Sequence, residues 1–144
     1  MTFSVSGNLL HKDFSEKHPL SILVAEDNKV NQIFIMKTLG KLGYSADLAV
    51  DGSEAIKATG QKHFDVIFMD VQMPVMDGLE ATRIIKQRQQ THPYIIAMTA
   101  NALQEDQDRC LEAGMNDYIS KPVKLEELIV MLEKWSLQLQ TESL

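Results

Sequence analysis

The chain has 144 residues, 44% of them hydrophobic and 24% charged, which is the size and composition of one globular domain with a full apolar core. Its formal net charge of -6 argues against direct nucleic-acid binding, because proteins bind phosphate backbones mainly through clustered Lys and Arg. The single cysteine, Cys110, excludes an internal disulfide, and no stretch approaches the ~20 apolar residues of a membrane span, so we expect a cytoplasmic protein without membrane insertion.

The first segment, residues 1–19, mixes Ser, His, Lys and Asp without the apolar run of a secretory signal, and we expect a flexible lead-in. From Leu20 onward, short apolar runs alternate with segments of helical period, a pattern that predicts βα units around a parallel sheet. Five such units precede Trp135, and the residues after it are too few for an effector domain. We therefore predict one α/β domain over residues 20–136 and a C-terminal tail over residues 137–144.

The first two units contain one strong and one weak strand. The continuous run Ile22–Ala25 is typical of a strand buried on both faces, and it stops at three polar residues, 26–28. A weaker strand at 45–49 precedes a short helix that Ser53 is predicted to cap. Between them, Gly43 is predicted to end a helix as a left-handed cap, and the predicted inward face of that helix consists of Phe34, Ile35, Thr38, Leu39 and Leu42.

The remaining three units repeat the alternation of apolar run and amphipathic segment. The predicted elements are a strand at 65–70, a helix from Gly78 with Leu79, Thr82 and Ile85 inward, a strand at 94–99, a helix at 103–113 ended by Gly114, a strand at 117–119, and a last helix with Leu125, Leu128, Ile129 and Leu132 inward.

Polar side chains interrupt this apolar scheme at the carboxyl ends of the predicted strands. They are Glu26, Asp27, Asp70, Thr99 and Lys121. The carboxyl ends of parallel strands form one edge of a sheet, and ligands bind there where the strand order reverses, so these residues are expected to converge. Three neighbouring carboxylates repel one another unless a cation is present, and an all-oxygen set favours a hard ion such as Mg²⁺.

This set of residues is suited to phosphoryl transfer. Asp70 ends the central strand and is the best nucleophile, whereas Asp27 is better placed to bind metal. Lys121 and the metal would neutralise charge on the transferring group, and the hydroxyl of Thr99 would bind a phosphoryl oxygen. A single Asp at a strand end is usually a turn or cap residue, but five such residues together are far more specific.

The residues from about Leu20 to Trp135 resemble a receiver domain of two-component signalling, a CheY-like response-regulator domain. The matching segments are Val24-Ala25-Glu26-Asp27-Asn28, Met69-Asp70-Val71-Gln72-Met73-Pro74-Val75-Met76-Asp77-Gly78, Met98-Thr99-Ala100-Asn101-Ala102 and Ser120-Lys121-Pro122. The resemblance implies a flavodoxin-like, doubly wound (βα)5 fold with a five-stranded parallel sheet in the order 2-1-3-4-5.

The resemblance also implies a role for each matching residue. By similarity, Asp70 is the phosphoacceptor, and Asp27, Asp70 and the backbone carbonyl of Gln72 bind Mg²⁺ or a substituting Mn²⁺, with Glu26 supporting the metal through water. Thr99 and Lys121 contact the phosphoryl group, and Gln72 and Asn101 flank the site. The Lys121-Pro122 peptide bond is cis. Such a domain catalyses only its own phosphorylation and dephosphorylation.

A switch and a partner follow from the same resemblance. Tyr118 matches the aromatic residue that couples to the switch residue Thr99, although on sequence alone it is equally well a packing residue. The amino-acid sequences of the motifs are most similar to those of receivers in hybrid sensor kinases, which implies a phosphorelay with a histidine kinase or a histidine phosphotransfer domain. Docking would use the first long helix and the loop after Lys121, with Ile33, Met36 and Val123 as candidate contacts, on a monomer or weak dimer.

Three other interpretations are weaker. A phosphohydrolase with an aspartyl-phosphate intermediate needs a second acid two residues after the nucleophile, where this chain has Gln72. A flavin- or nucleotide-binding module needs a glycine-rich loop after the first strand, and none is present. A degenerate receiver that only binds proteins is expected to lose Asp70 or Lys121, which are both present. The sequence leaves open whether the chain is a stand-alone regulator or part of a hybrid kinase.

Overall fold

The computed structural model describes residues 13–88, 93–100 and 104–142, in which strands and helices alternate along the chain. The strands are β1 (Ile22–Ala25), β2 (Asp47–Ala49), β3 (Val66–Asp70), β4 (Tyr94–Thr99) and β5 (Asp117–Ser120). The helices are α1 (Phe14–Lys17), α2 (Lys29–Lys41), α3 (Gly52–Gln61), α4 (Gly78–Arg88), α5 (Gln104–Ala113) and α6 (Leu125–Glu142). The predicted start of α5 at Leu103 lies outside the described residues.

The five strands form one all-parallel sheet in the order β2-β1-β3-β4-β5, as predicted. Every residue of β1, β3 and β4 is buried, which agrees with their uninterrupted apolar runs. Ala25 pairs with Met69, so the next residues, Glu26 just after β1 and Asp70 at the end of β3, lie side by side. This register is what brings the polar strand ends together.

The core has two layers, one on each face of the sheet. Leu23 and Ala25 point to the face covered by α3, α4 and α5, while Ile22 and Val24 point to the face covered by α2 and α6. Helices on both faces explain why the strands carry apolar residues at successive positions. The fold is therefore doubly wound, as predicted.

Two local predictions are wrong in detail. In α2 the predicted inward residues from Ile35 onward are buried, but Phe34 is 48% exposed because it lies beside the buried stripe at the i, i+3, i+4, i+7 positions. Asp51, not Ser53, caps α3: its side chain accepts a hydrogen bond from the Glu54 N–H at 2.8 Å. The helix begins two residues earlier than a Ser53 cap requires. Gly43 and Gly114 have the left-handed φ values, 96° and 105°, expected of C-terminal caps.

Both ends of the described chain contain more regular structure than predicted. Within the predicted flexible lead-in, residues 14–17 form α1, whose Ser15 N–H donates to the Leu42 carbonyl at 3.0 Å. The predicted tail is helical up to Glu142, the end of α6. Residues 1–12 and 143–144 lie outside the described part of the chain. Across the described ranges, we find no helix with the length and apolar character that crossing a bilayer requires.

The N-terminal segment packs across the base of α6. Phe14 lies with its ring centroid 4.6 Å from that of His18 and 6.3 Å from that of Tyr44. The Tyr44 hydroxyl donates to the His18 carbonyl at 2.6 Å, and His18 Nδ1 lies 3.3 Å from the hydroxyl of buried Ser136. These contacts join the segment to the loop after α2 and to α6.

Candidate functional site

The structure brings together all five predicted strand-end residues, Glu26, Asp27, Asp70, Thr99 and Lys121, in one cleft of about 760 Å³. The cleft lies at the carboxyl edge of the sheet, beside β1 and β3, where the strand order reverses. The space is large enough for a phosphoryl group and a hydrated ion.

Glu26 and Asp27 occupy the short turn between β1 and α2. Asn28 begins the helix, because its side chain accepts a hydrogen bond from the Asn31 N–H at 3.0 Å. The Asn28 N–H donates to Glu26 Oε2 at 3.0 Å, and this bond holds the Glu26 carboxylate inside the protein, where the residue is 1% exposed. Asp27, in contrast, is exposed at the mouth of the cleft.

Asp70 is the last residue of β3 and is 3% exposed. The Gln72 N–H donates to Asp70 Oδ1 at 3.2 Å, so the turn after the strand orients the carboxylate. Carboxylate oxygens of Glu26, Asp27 and Asp70 lie within 4.8 Å of one another. A buried strand thus ends in an acidic cluster that shares one small volume.

Lys121 reaches this cluster from the loop after β5. Its ammonium lies 3.0 Å from Asp70 Oδ1 and 3.3 Å from Glu26 Oε1. The Lys121 N–H donates to the Thr99 carbonyl at 2.8 Å, which ties the loop to the end of β4. The peptide bond between Lys121 and Pro122 is cis, as predicted.

The pKa of Asp70 is raised from 3.8 to about 7, and burial is the largest cause of this net shift. The charge of Glu26 contributes to the same upward shift of the pKa, and the hydrogen bond and charge of Lys121 oppose both effects. Burial alone would lower the pKa of Lys121, but its hydrogen bond to Asp70 and the two nearby carboxylates outweigh burial and raise it. The lysine therefore stays charged, while Asp70 can exchange a proton for a cation near neutral pH.

The donor set fits a hard divalent ion. It offers carboxylate oxygens alone, with neither sulfur nor imidazole among the residues of the cluster, and Mg²⁺ prefers such ligands. Three carboxylates face one lysine, so a further positive charge would be stabilised there. Gln72 lines the same cleft, and the role predicted for its backbone carbonyl as a metal ligand remains a prediction.

The remaining predicted site residues lie around this cleft. Thr99 ends β4 and lines the cleft. Tyr118, in β5, is half-buried and packs against the core layer under α3, α4 and α5. Asn101 lies outside the described residues. Val123, predicted to contact a partner, is 3% exposed and packs in the core beneath α6, so that prediction is wrong.

Sequence reasoning did not assign a role in the site to several residues. Asp106 and Arg109, from α5, also line the cleft and form an ion pair at 3.8 Å. Gly78 is needed for packing, since a Cβ there would lie 2.1 Å from the Asp70 carbonyl oxygen. The Gln32 side chain donates to the Glu26 carbonyl at 2.7 Å. The sequence motifs next to these residues gave no signal for the contacts, because the contacts depend on how the helices pack against the sheet.

Residues 22–133 match the response regulator receiver domain family. Among curated proteins, hybrid signal transduction histidine kinase K of Dictyostelium discoideum is 39% identical over an alignment of 131 residues that covers 85% of this chain and 11% of that protein. Sensor histidine kinase RcsC of Escherichia coli K12 is 42% identical over 115 residues, which are 80% of this chain and 12% of that protein. The chain thus spans about a tenth of the length of these relatives.

Solved structures agree. The receiver domain of sensor histidine kinase PA1611 from Pseudomonas aeruginosa PAO1, with magnesium coordinated in its active-site cleft, has a TM-score of 0.76 at 46% identity, covering 81% of this chain and 97% of that one. A co-crystal structure of the Saccharomyces cerevisiae histidine phosphotransfer protein Ypd1 and the receiver domain of Ssk1 has a TM-score of 0.78 at 33% sequence identity. The match covers 82% of this chain and 89% of that one. The chain therefore belongs to the response regulator receiver domain family, whose members are phosphoacceptor signalling domains.

Proposed function

We propose that Asp70 accepts a phosphoryl group from a phosphorylated histidine of a kinase or a histidine phosphotransfer domain, within a two-component phosphorelay. The observation that carries this proposal is the buried Asp70 carboxylate, 3.0 Å from the Lys121 ammonium and within 4.8 Å of two further carboxylates. No simple turn or cap requires this combination of buried charges, which is costly unless a ligand uses it.

In the proposed reaction, an Asp70 carboxylate oxygen attacks the phosphorus, the P–N bond to the donor histidine breaks, and an acyl phosphate forms on Asp70. The imidazole nitrogen that leaves takes up a proton. Asp27, Asp70 and the Gln72 backbone carbonyl would hold Mg²⁺, with Glu26 supporting it through water, and the bound ion would supply positive charge for the phosphoryl oxygens. Lys121 shifts its contact from Asp70 to a phosphoryl oxygen, and Thr99 donates to another.

Hydrolysis of the acyl phosphate resets the switch. Water attacks the phosphorus, the bond to Asp70 breaks, and inorganic phosphate leaves with regeneration of the carboxylate. We propose that the domain catalyses this step on itself, with Gln72 and Asn101 controlling the access of water. Gln72 lines the cleft, which supports this role.

We propose that the histidine donor docks on α2. Three large apolar side chains of this helix, Val30, Ile33 and Phe34, are exposed at 74%, 60% and 48%, next to the cleft that Asn28 and Asn31 line. An apolar surface beside an acidic active site suits a partner that must exclude water while presenting a histidine. The Ypd1–Ssk1 pair supports a phosphotransfer domain as this partner. Met36 is half-buried and contributes less.

We propose that phosphorylation is read out through Thr99 and Tyr118. When the Thr99 hydroxyl moves to bind the phosphoryl group, Tyr118 on the neighbouring strand repacks and alters the surface formed by α5, β5 and α6. Support comes from the pairing of Thr99 with Ser120, two residues from Tyr118, in adjacent strands. Thr99→Ala should leave phosphorylation largely intact but abolish the chemical-shift changes around Tyr118 that phosphorylation causes in the wild type.

We propose a cytoplasmic location and a monomeric or weakly dimeric state. The free thiol of Cys110 is buried, which is compatible with a reducing compartment. The relatives support a place in a hybrid-kinase phosphorelay. Sedimentation analysis before and after phosphorylation would establish the oligomeric state.

The test of the proposed function is incubation of the purified chain with acetyl phosphate, with and without Mg²⁺ or Mn²⁺, followed by intact mass. We expect a single metal-dependent phosphoryl adduct that is absent in Asp70→Asn. Asp47→Asn is the matched control, because Asp47 lies in β2 and pairs with Lys62 outside the cleft. A folded wild-type chain that acquires no adduct from acetyl phosphate or from a phosphotransfer domain would contradict the proposal.

A further inference from the structure

The side chain of Gln32, the fourth residue of α2, turns back over the start of its own helix. Its Nε2 donates to the backbone carbonyl of Glu26 at 2.7 Å. Its N–H donates to the Asn28 carbonyl at 2.9 Å, so Gln32 itself is fixed within the first helical turn. The helix therefore holds the peptide unit that joins Glu26 to Asp27.

This peptide unit determines where both acidic side chains point. A peptide is planar, so fixing its carbonyl fixes ψ of Glu26 and φ of Asp27 together. The other groups of Glu26 are held separately: its N–H donates to the Ala49 carbonyl at 3.0 Å, and its carboxylate accepts from the Asn28 N–H. Asp27 is exposed, so packing does not hold its side chain, and the backbone sets the direction of its Cα–Cβ bond.

We infer that Gln32 is a positioning residue for the acidic pair, and that its amide sets the affinity of the cleft for Mg²⁺ by fixing the orientation of Asp27. This inference rests on the proposed function, because it assigns Gln32 to the same site. Hydrogen bonds one step behind a metal ligand restrict the ligand to its binding orientation, so that less freedom is lost when the ion binds.

A purely structural role predicts a different outcome. If Gln32 only satisfied a backbone carbonyl, its loss would lower the thermal stability of the chain and leave the affinity for Mg²⁺ unchanged. The two roles are separated by measuring metal binding directly in addition to activity.

The test uses Gln32→Met, which keeps the length of the side chain and removes the donor, and Gln32→Asn, which keeps the amide but shortens its reach. Gln138→Met, at an exposed position of α6, is the matched control. Mg²⁺ affinity is measured by titration of amide resonances in ¹H–¹⁵N NMR spectra. The rate of phosphorylation by acetyl phosphate is then measured as a function of Mg²⁺ concentration.

We expect both Gln32 variants to bind Mg²⁺ about 10-fold more weakly than the wild type, the usual effect of losing such a supporting bond. The Mg²⁺ concentration for half-maximal phosphorylation should rise by the same factor, with the rate at saturating Mg²⁺ retained, and Gln138→Met should match the wild type. Unchanged affinity in a folded Gln32→Met would overturn the inference.

If neither variant folds, an NMR titration of the wild-type chain with Mg²⁺ still tests the inference. The side-chain amide resonances of Gln32 should shift when Mg²⁺ is added, because Asp27 and the peptide next to it become more restricted; no shift at saturating Mg²⁺ would count against the inference. A wild-type chain that binds Mg²⁺ but is never phosphorylated would contradict the proposed function instead, and leaves the binding result for Gln32 valid.

Discussion

Lys121 and Asp70 form an ion pair of 3.0 Å in which Asp70 is almost completely buried and Lys121 is also 3.3 Å from Glu26. The lysine is thus the counter-ion of two buried carboxylates in the described part of the cleft. Removing one partner of a buried ion pair leaves uncompensated charge, which destabilises a protein far more than the pair itself stabilises it.

Lys121→Met should therefore lower the free energy of unfolding by about 2–3 kcal/mol at pH 8 without Mg²⁺, somewhat less than for a fully buried pair because Asp70 can take up a proton. Added Mg²⁺ should recover part of the loss, and phosphorylation by acetyl phosphate should slow about 100-fold. Lys134→Met, which removes an exposed ion pair to Asp117, should cost less than ~1 kcal/mol. Equal losses from denaturant titrations of the two variants would contradict this prediction.

Asp70→Asn should change the pH dependence of stability. Burial raises the pKa of Asp70 to about 7 in the folded chain, against 3.8 ordinarily, so the folded state binds more protons and stability falls as pH rises through this window. Asn cannot ionise. Without Mg²⁺ we expect the variant to melt roughly 5 °C above the wild type at pH 8, with the difference disappearing near pH 4. Differential scanning calorimetry across this range checks the prediction; Asp47→Asn should show no such trend.

Gly78→Ala and Gly60→Ala should have opposite effects. A Cβ at Gly78 would lie 2.1 Å from the Asp70 carbonyl oxygen, so the β3–α4 connection must move, and we expect a loss of about 2–3 kcal/mol with impaired phosphorylation. A Cβ at Gly60, in α3, meets no atom within 4 Å, and alanine there should stabilise the chain by about 0.5–1 kcal/mol. Chemical denaturation measures both; a stable, fully active Gly78→Ala variant would be incompatible with the structure.

Ile33→Glu should weaken transfer from a protein donor without affecting the chemistry. Ile33 is 60% exposed on α2, and a carboxylate there would repel an apolar docking surface. With a phosphorylated phosphotransfer domain we expect transfer at sub-saturating concentration to slow at least ~10-fold, and phosphorylation by acetyl phosphate to stay at the wild-type rate. Val130→Glu, at a similarly exposed apolar position on α6, is the control. Equal effects of both substitutions would place docking elsewhere.

The sheet and the site were largely predictable from the sequence, for a common reason. Buried parallel strands must be apolar throughout, so a charged residue such as Asp70 marks the end of a strand, and parallel strand ends meet at one edge. The order of the strands and the grouping of Glu26, Asp70 and Lys121 follow from these two facts together with the matching motifs.

The predictions that were wrong or missing concern positions where the sequence pattern is compatible with two local structures about equally well. Asp51 and Ser53 are both good N-caps, and packing against the loop before α4 decides between them, since the Gly52 N–H donates to the Met76 carbonyl at 3.1 Å. Val123 follows a polar loop and gave no sign of burial. The reach of Gln32 back to Glu26 depends on one side-chain rotamer, which has no periodic signal.

The contacts of residues 13–18 bear on how this receiver would behave if it were transplanted into another kinase. The region shared with the family begins at Ile22, but a chimera joined there would lose the partner that His18 provides for the Tyr44 hydroxyl and for buried Ser136. Residues 14–18 are therefore packed against the same body as the sheet and its helices. A fusion boundary before Asp13 should therefore give a chimera that unfolds at a higher temperature than one joined at Ile22.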